Sequence, residues 1–258
     1  MGTERAGQTV ERMNRQMRIQ HGLLLVSVVL LVLTGLGLLY SGSWFGQALV
    51  SLEGGFEARG WLHRAAAVLL ILTALYHIAY IFFSRQGHEE FIQLMLRGRD
   101  LRDWMAMLAY DLGRREAKPK LDRYSFREKL QYWAFVVFCL VMILSGALLW
   151  AFPSLFGLLP KWTFDVSIAV HSGTGTLIVV VLTLWHLYIV HLAPGRFPGD
   201  GSFWHGRMPV ERLRDEHPLE YERLLAQGEI RPLSADPSAD GSADAPSTPD
   251  EGEGGESP

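Results

Sequence analysis

The chain is expected to be all-α: an integral membrane four-helix bundle of two related helical hairpins, with a cytoplasmic amphipathic segment and a disordered C-terminal tail. Three observations predict this class: four long uncharged runs, a basic excess confined to alternate connections, and an internal repeat. Its 258 residues, 49% hydrophobic with net charge −3, have the bulk composition of a soluble domain. The distribution along the chain says otherwise. Uncharged runs cover 19–52, 65–84, 130–160 and 166–195. Each is long enough for a helix through about 30 Å of hydrocarbon, which takes about 20 residues. The spans are expected near 21–41, 62–83, 130–151 and 169–191, within a membrane domain of residues 21–195.

Residues 1–20 form a basic N-terminal segment carrying Arg5, Arg12, Arg15 and Arg18. The first span is too long for a signal-peptide core, about 7 to 15 residues, and lacks an A-x-A cleavage site, so it is read as retained. The connection 84–129 holds Arg85, Arg97, Arg99, Arg102, Arg114, Arg115, Lys118, Lys120, Arg123, Arg127 and Lys129, whereas the other two connections hold little beyond Arg59 and Lys161. By the positive-inside rule both termini and the central connection are expected to face the cytoplasm, as in a multi-pass membrane protein. Within that connection, Glu89 to Gly113 alternates apolar and charged residues in the manner of one amphipathic helix at the membrane surface. A polar C-terminal segment, 196–233, follows the last span. From 234 to 258 the chain is Ser, Asp, Gly, Pro and Glu, too polar to offset its ordering entropy. That acidic tail masks the basic face, which matches anionic lipid and topology setting rather than nucleic acid.

The repeat is direct. Arg18-Ile-Gln-His-Gly and Thr34-Gly35 align without gaps with Lys129-Leu-Gln-Tyr-Trp and Ser145-Gly146, at a constant offset of 111. Leu62-His63-Arg64 and Tyr76-His77 likewise match Val170-His171-Ser172 and Trp185-His186. Two related hairpins about an axis along the membrane normal follow.

Histidines at the ends of the spans carry the chemistry. An ionisable side chain in hydrocarbon is costly, so several at matched depths call for a common partner. His63 and His77 are 14 residues apart and His171 and His186 are 15 apart; on a helix of about 100° and 1.5 Å per residue each pair shares one side, roughly 21 to 22 Å apart in depth. Each helix then offers one imidazole near either membrane surface, and two such helices can clamp two stacked haems. Cys139 is the only cysteine, so there is no C-x-x-C-H attachment and two haem b groups are expected to be held without a covalent bond. Symmetry sets His63 opposite His171 and His77 opposite His186. His21, whose repeat counterpart is Tyr132, also starts a span and competes with His77 for the cytoplasmic site. The sequence leans to His77, and a third haem, with His191 and His21, stays open. His88, His205 and His217, outside the spans, are expected to be solvated. Arg64, beside His63, is a candidate to neutralise a haem propionate, or else an interface anchor.

The runs RIQHGLLLVSVVLLVLTGL, WLHRAAAVLLILTALYH, EKLQYWAFVVFCLVMILSGALLW and HSGTGTLIVVVLTLWHLYIVH, with His217-Pro218 and Tyr221 after the last span, resemble the di-haem cytochrome b membrane subunits of formate dehydrogenase, thiosulfate reductase and nickel hydrogenase. The likeness extends to the bacterial b561 type. It covers about residues 12–225. It implies electron transfer between quinone and a peripheral redox subunit, an iron-sulfur, molybdenum or multihaem cytochrome protein. In the formate dehydrogenase gamma subunit, the histidine matching His21 pairs with that matching His186, and the one matching His63 with that matching His171. That subunit has no counterpart of His77, and its quinone-site asparagine falls on Ser125 here. Two competing readings are a membrane anchor or metal transporter built on histidines, disfavoured because no Asp or Glu lies inside the expected spans, and a b561-type oxidoreductase without a fixed partner.

Overall fold

A computed structural model describes residues 7–155, 157–193, 196–197 and 199–233. The tail 234–258, expected to be disordered, lies outside the described residues. A short strand β1 (Thr9–Glu11) leads into α1 (Arg15–Leu39), α2 (Trp44–Leu52), α3 (Phe56–Phe83), α4 (Arg85–Leu94), α5 (Gly98–Asp111), α6 (Phe126–Leu155) and α7 (Lys161–Val181). The last of these continues as a π-helical segment, Leu182–Leu192, before α8 (Ser202–His205), β2 (Arg207–Pro209), α9 (Val210–Glu216) and α10 (Pro218–Gln227). Four helices are long and apolar enough to cross a membrane: α1, α3, α6 and α7 with its π extension.

The helices extend past the expected spans because polar caps lie outside the apolar runs. Asn14 caps α1, its side chain accepting from the N–H of Met17 at 2.9 Å. Leucines and valines of the spans, such as Leu25, Leu72, Leu140 and Leu184, face outward, where lipid replaces water. The inner faces are small and polar: Ser27, Thr34, Thr73, Ser145 and Ser167 are buried and bond their own helix carbonyls. Small residues let helices approach closely where no hydrophobic force joins them.

The π-helical segment settles a mismatch in the repeat. His63 and His77 are separated by 14 residues, but His171 and His186 by 15. A bond pattern of i→i+5 accommodates an additional residue within an otherwise regular helix. Leu182–Leu192 spans His186, so the fourth span absorbs the extra residue there.

Three features differ from expectation. Residues 44–52 form a helix, α2, on the connection between the first two spans. The amphipathic stretch 89–113 is two helices, broken at Met95–Arg97, where Asp100 accepts from the N–H of Arg97. Lys129 of α6 clamps that break, bonding Asp100 Oδ1 at 2.8 Å and the carbonyl of Met95 at 3.3 Å. The C-terminal segment is also folded: β2 pairs antiparallel with β1, Val10 opposite Met208. Met208, Val210, Leu213 and Ile230 form an apolar core with Val10, Tyr221 and Leu224 around it.

This cap is tied to the membrane domain by buried charge. Arg12 bonds Glu220 at 3.1 Å and the carbonyl of Arg123, while Arg123 bonds Glu220 at 2.6 Å and Glu90 at 2.8 Å. The stretch from β1 to Arg12, the central connection and the segment 207–230 therefore meet at one end of the bundle. Removing one partner of a buried pair strands the others, which costs about 3–5 kcal/mol. Glu220→Ala is accordingly expected to release the cap, seen as rapid proteolysis of residues 207–230 in detergent with the spans intact.

His217 is buried rather than solvated, only 5% exposed. Its Nδ1–H donates to the carbonyl of Asp122 at 2.8 Å, and Nε2 faces Arg12 Nη2 at 3.3 Å. Burial, then the Arg12 guanidinium, holds its pKa below the ordinary 6.5. The unfolded chain thus binds this proton more readily than the folded one, so the stability is full above about pH 6.5 and is lost as pH falls below it. Protection of the cap from protease is expected to decline as pH falls from about 7 to about 5, and His217→Gln to flatten that decline.

Candidate haem-binding sites

Two histidine pairs face each other across the bundle. At the end away from the cap, His63 of α3 and His171 of α7 have ring centres 6.3 Å apart. At the cap end, His21 of α1 and His186 of the π-helical segment also lie 6.3 Å apart. Two imidazoles that each reach a metal at about 2 Å through one nitrogen have ring centres roughly 6 Å apart. Both separations fit one hexacoordinate iron. Among the described residues no three His, Cys, Asp or Glu side chains gather as a metal site; these four histidines lie as two pairs.

The tautomers of the first pair are fixed by the backbone. Thr34 spends its hydroxyl hydrogen on the carbonyl of Leu30 at 2.6 Å, so its oxygen accepts from His63 Nδ1–H at 2.7 Å. Ser145 does the same, donating to Val141 at 2.6 Å and accepting from His171 Nδ1–H at 2.9 Å. A hydroxyl has one hydrogen, and a neutral imidazole one N–H. Both Nε2 atoms are therefore bare lone pairs. A hydrogen bond on the far nitrogen also orients a ligating ring and raises its basicity. Gly146 keeps this place open, because a Cβ there would lie 3.0 Å from His171 Cε1.

At the second pair, the carboxamide of Gln131 lies 2.5 Å from His186 Nδ1. Phe203 of α8 packs on His21, ring centres 4.8 Å apart. The Nδ1 of His21 is buried without a hydrogen-bond partner among the described residues.

The remaining candidates sit elsewhere. His77 is not opposite His186, as symmetry predicted; its Nδ1 bonds Gln20 Oε1 at 2.8 Å and its Nε2 the hydroxyl of Tyr132 at 3.0 Å. Arg64 lays its guanidinium over the rings of Trp61 and Trp150, 5.5 and 5.8 Å from their centres. That is how a cation anchors at an aromatic belt. His191 packs against Gly199, and Ser125 donates its N–H to Glu128 at 2.7 Å. Thr34, Ser145 and Gln131 were missed as ring-orienting residues, although the repeat already marked all three positions.

Residues 12–197 match the family described as prokaryotic cytochrome b561. The chain belongs to this family. It is therefore a multi-pass membrane cytochrome b of electron transfer, and the cofactor of such a protein is haem b. Among curated proteins it is similar to the formate dehydrogenase cytochrome b556(fdo) subunit of Escherichia coli K12, 25% identical over 183 residues that cover 70% of this chain and 78% of the relative. The subunits of that name from Escherichia coli O6:H1 and O157:H7 match at the same identity and coverage.

Proposed function

We propose that this cytochrome b561-family protein carries electrons across a prokaryotic inner membrane through two b haems, one held by His63 and His171 and the other by His21 and His186. The observation that carries this reading is the equal 6.3 Å spacing of the two pairs at opposite ends of the bundle. His171 and His186 share one helix and lie 15 residues apart, so the two sites are about 22 Å apart along the membrane normal. When bound, haem iron supplies one-electron chemistry at each site. The protein's own part is to present bare Nε2 atoms on His63 and His171, fix the ring planes through Thr34, Ser145 and Gln131, and exclude water with the surrounding apolar helices.

Electrons pass between the quinone pool and a peripheral redox subunit. The likeness to a formate dehydrogenase cytochrome subunit supports a dehydrogenase as that partner. The basic connection 84–129 meets Arg12 and the segment 207–230 at the cap end, which the positive-inside rule assigns to the cytoplasm. Reporter fusions at Gly54 and Lys161 are expected to register outside and a fusion at Gly113 inside; an external signal at Gly113 would reverse the orientation.

The ring-orienting hydroxyls give a separate test. Thr34→Val removes the acceptor on His63 Nδ1 and lowers ligand basicity, so the outer haem should be held about 10- to 100-fold less tightly and titrate at a higher potential. Thr34→Ser should restore both in a redox titration. An unchanged potential in Thr34→Val would remove Thr34 from the site.

A further inference from the structure

The repeat that relates α1 to α6 also relates the surroundings of His77 to those of His186. Gln131 lies against His186 Nδ1, and 111 positions earlier Gln20 lies against His77 Nδ1. His21 faces His186 with ring centres 6.3 Å apart; its counterpart Tyr132 faces His77 at 5.9 Å. Gln131 turns its Nε2 to His186, and Gln20 its Oε1 to His77. The two environments match residue for residue except at one position. There a histidine on one side is a tyrosine on the other.

We propose that Tyr132 decides which of these two symmetry-related places holds the inner haem, an inference that rests on the reading of His21 and His186 as its ligands. The Nδ1–H of His77 donates to Gln20 Oε1, so Nε2 is its lone pair, and the Tyr132 hydroxyl occupies that lone pair at 3.0 Å. A phenol ligates iron as phenolate, and an anion within the hydrocarbon layer is costly. Tyr132 thus closes the His77 place twice, by capping the imidazole and by offering no second neutral ligand. On the other side His21 leaves His186 facing an imidazole. The selection gives the cytochrome one inner haem in one setting, between α1 and the fourth span, instead of a population split between two.

The test moves the haem across the axis. His21→Ala/His186→Ala should lower the haem content from two to one per chain by pyridine haemochrome, the outer low-spin signal reporting an intact fold. Adding Tyr132→His should return it to two with a new low-spin signal, and adding His77→Ala to that variant should abolish the new signal. A triple variant that stays at one haem while keeping the outer signal overturns the proposal. A double variant that still holds two haems instead overturns the assignment of His21 and His186. If the triple variant loses the outer signal as well, Tyr132→His alone decides, because it removes no ligand: a further low-spin EPR signal abolished by His77→Ala supports the selection, and an unchanged spectrum overturns it.

Discussion

His63→Ala and His171→Ala are each expected to remove one haem of two and leave the other. In the proposed arrangement these two side chains would hold the haem at the end of the bundle away from the cap, where their ring centres lie 6.3 Å apart. Loss of one ligand leaves the other bound to Thr34 or Ser145 but with no opposing lone pair. Pyridine haemochrome should fall to one haem per chain, and the reduced-minus-oxidised spectrum should keep the inner component unshifted. Retention of both haems in either variant would refute the outer assignment.

The second large effect separates His21 from His77. His21→Ala should eliminate the inner low-spin haem, because His186 then faces no second imidazole. His77→Ala should leave haem content at two, since His77 already spends both nitrogens on Gln20 and Tyr132. Its loss leaves the Tyr132 hydroxyl and the Gln20 carboxamide without their buried partner, so the cost is in stability, about 1–3 kcal/mol. If His77→Ala removes the inner haem and His21→Ala does not, the ligand assignment at the cap end is reversed.

The four spans and their pairing as hairpins were legible because hydropathy and a constant offset of 111 survive in the sequence. His63 and His171 were legible as facing residues for the same reason: they are related by the repeat and lie where its halves meet. At the cap end the repeat favours His77 and the family resemblance favours His21 as the partner of His186; the choice turns on which ring each histidine faces, which is set by tertiary packing and not by spacing along one helix. The repeat marks Gln20 and Gln131, and likewise His21 and Tyr132, as equivalent positions, and the single exchange of histidine for tyrosine changes what the facing ring offers. The cap was illegible for another reason. Arg12, Arg123 and Glu220 sit in polar stretches where a solvated charge and a buried one look alike, and only tertiary pairing over 208 positions distinguishes them.

That long-range pairing bears on how the protein is made. Arg12 leaves the ribosome before any of the four spans, and its buried partner Glu220 is translated only after all of them. Until then the guanidinium, the strand Thr9–Glu11 and the connection around Arg123 have nothing to close against, because β2 and α10 do not yet exist. A chain stalled or truncated before residue 220 therefore displays an unpaired strand edge and stranded arginines beside the membrane. Closure of the cap waits on the synthesis of residue 220, well after the membrane bundle it covers has been made.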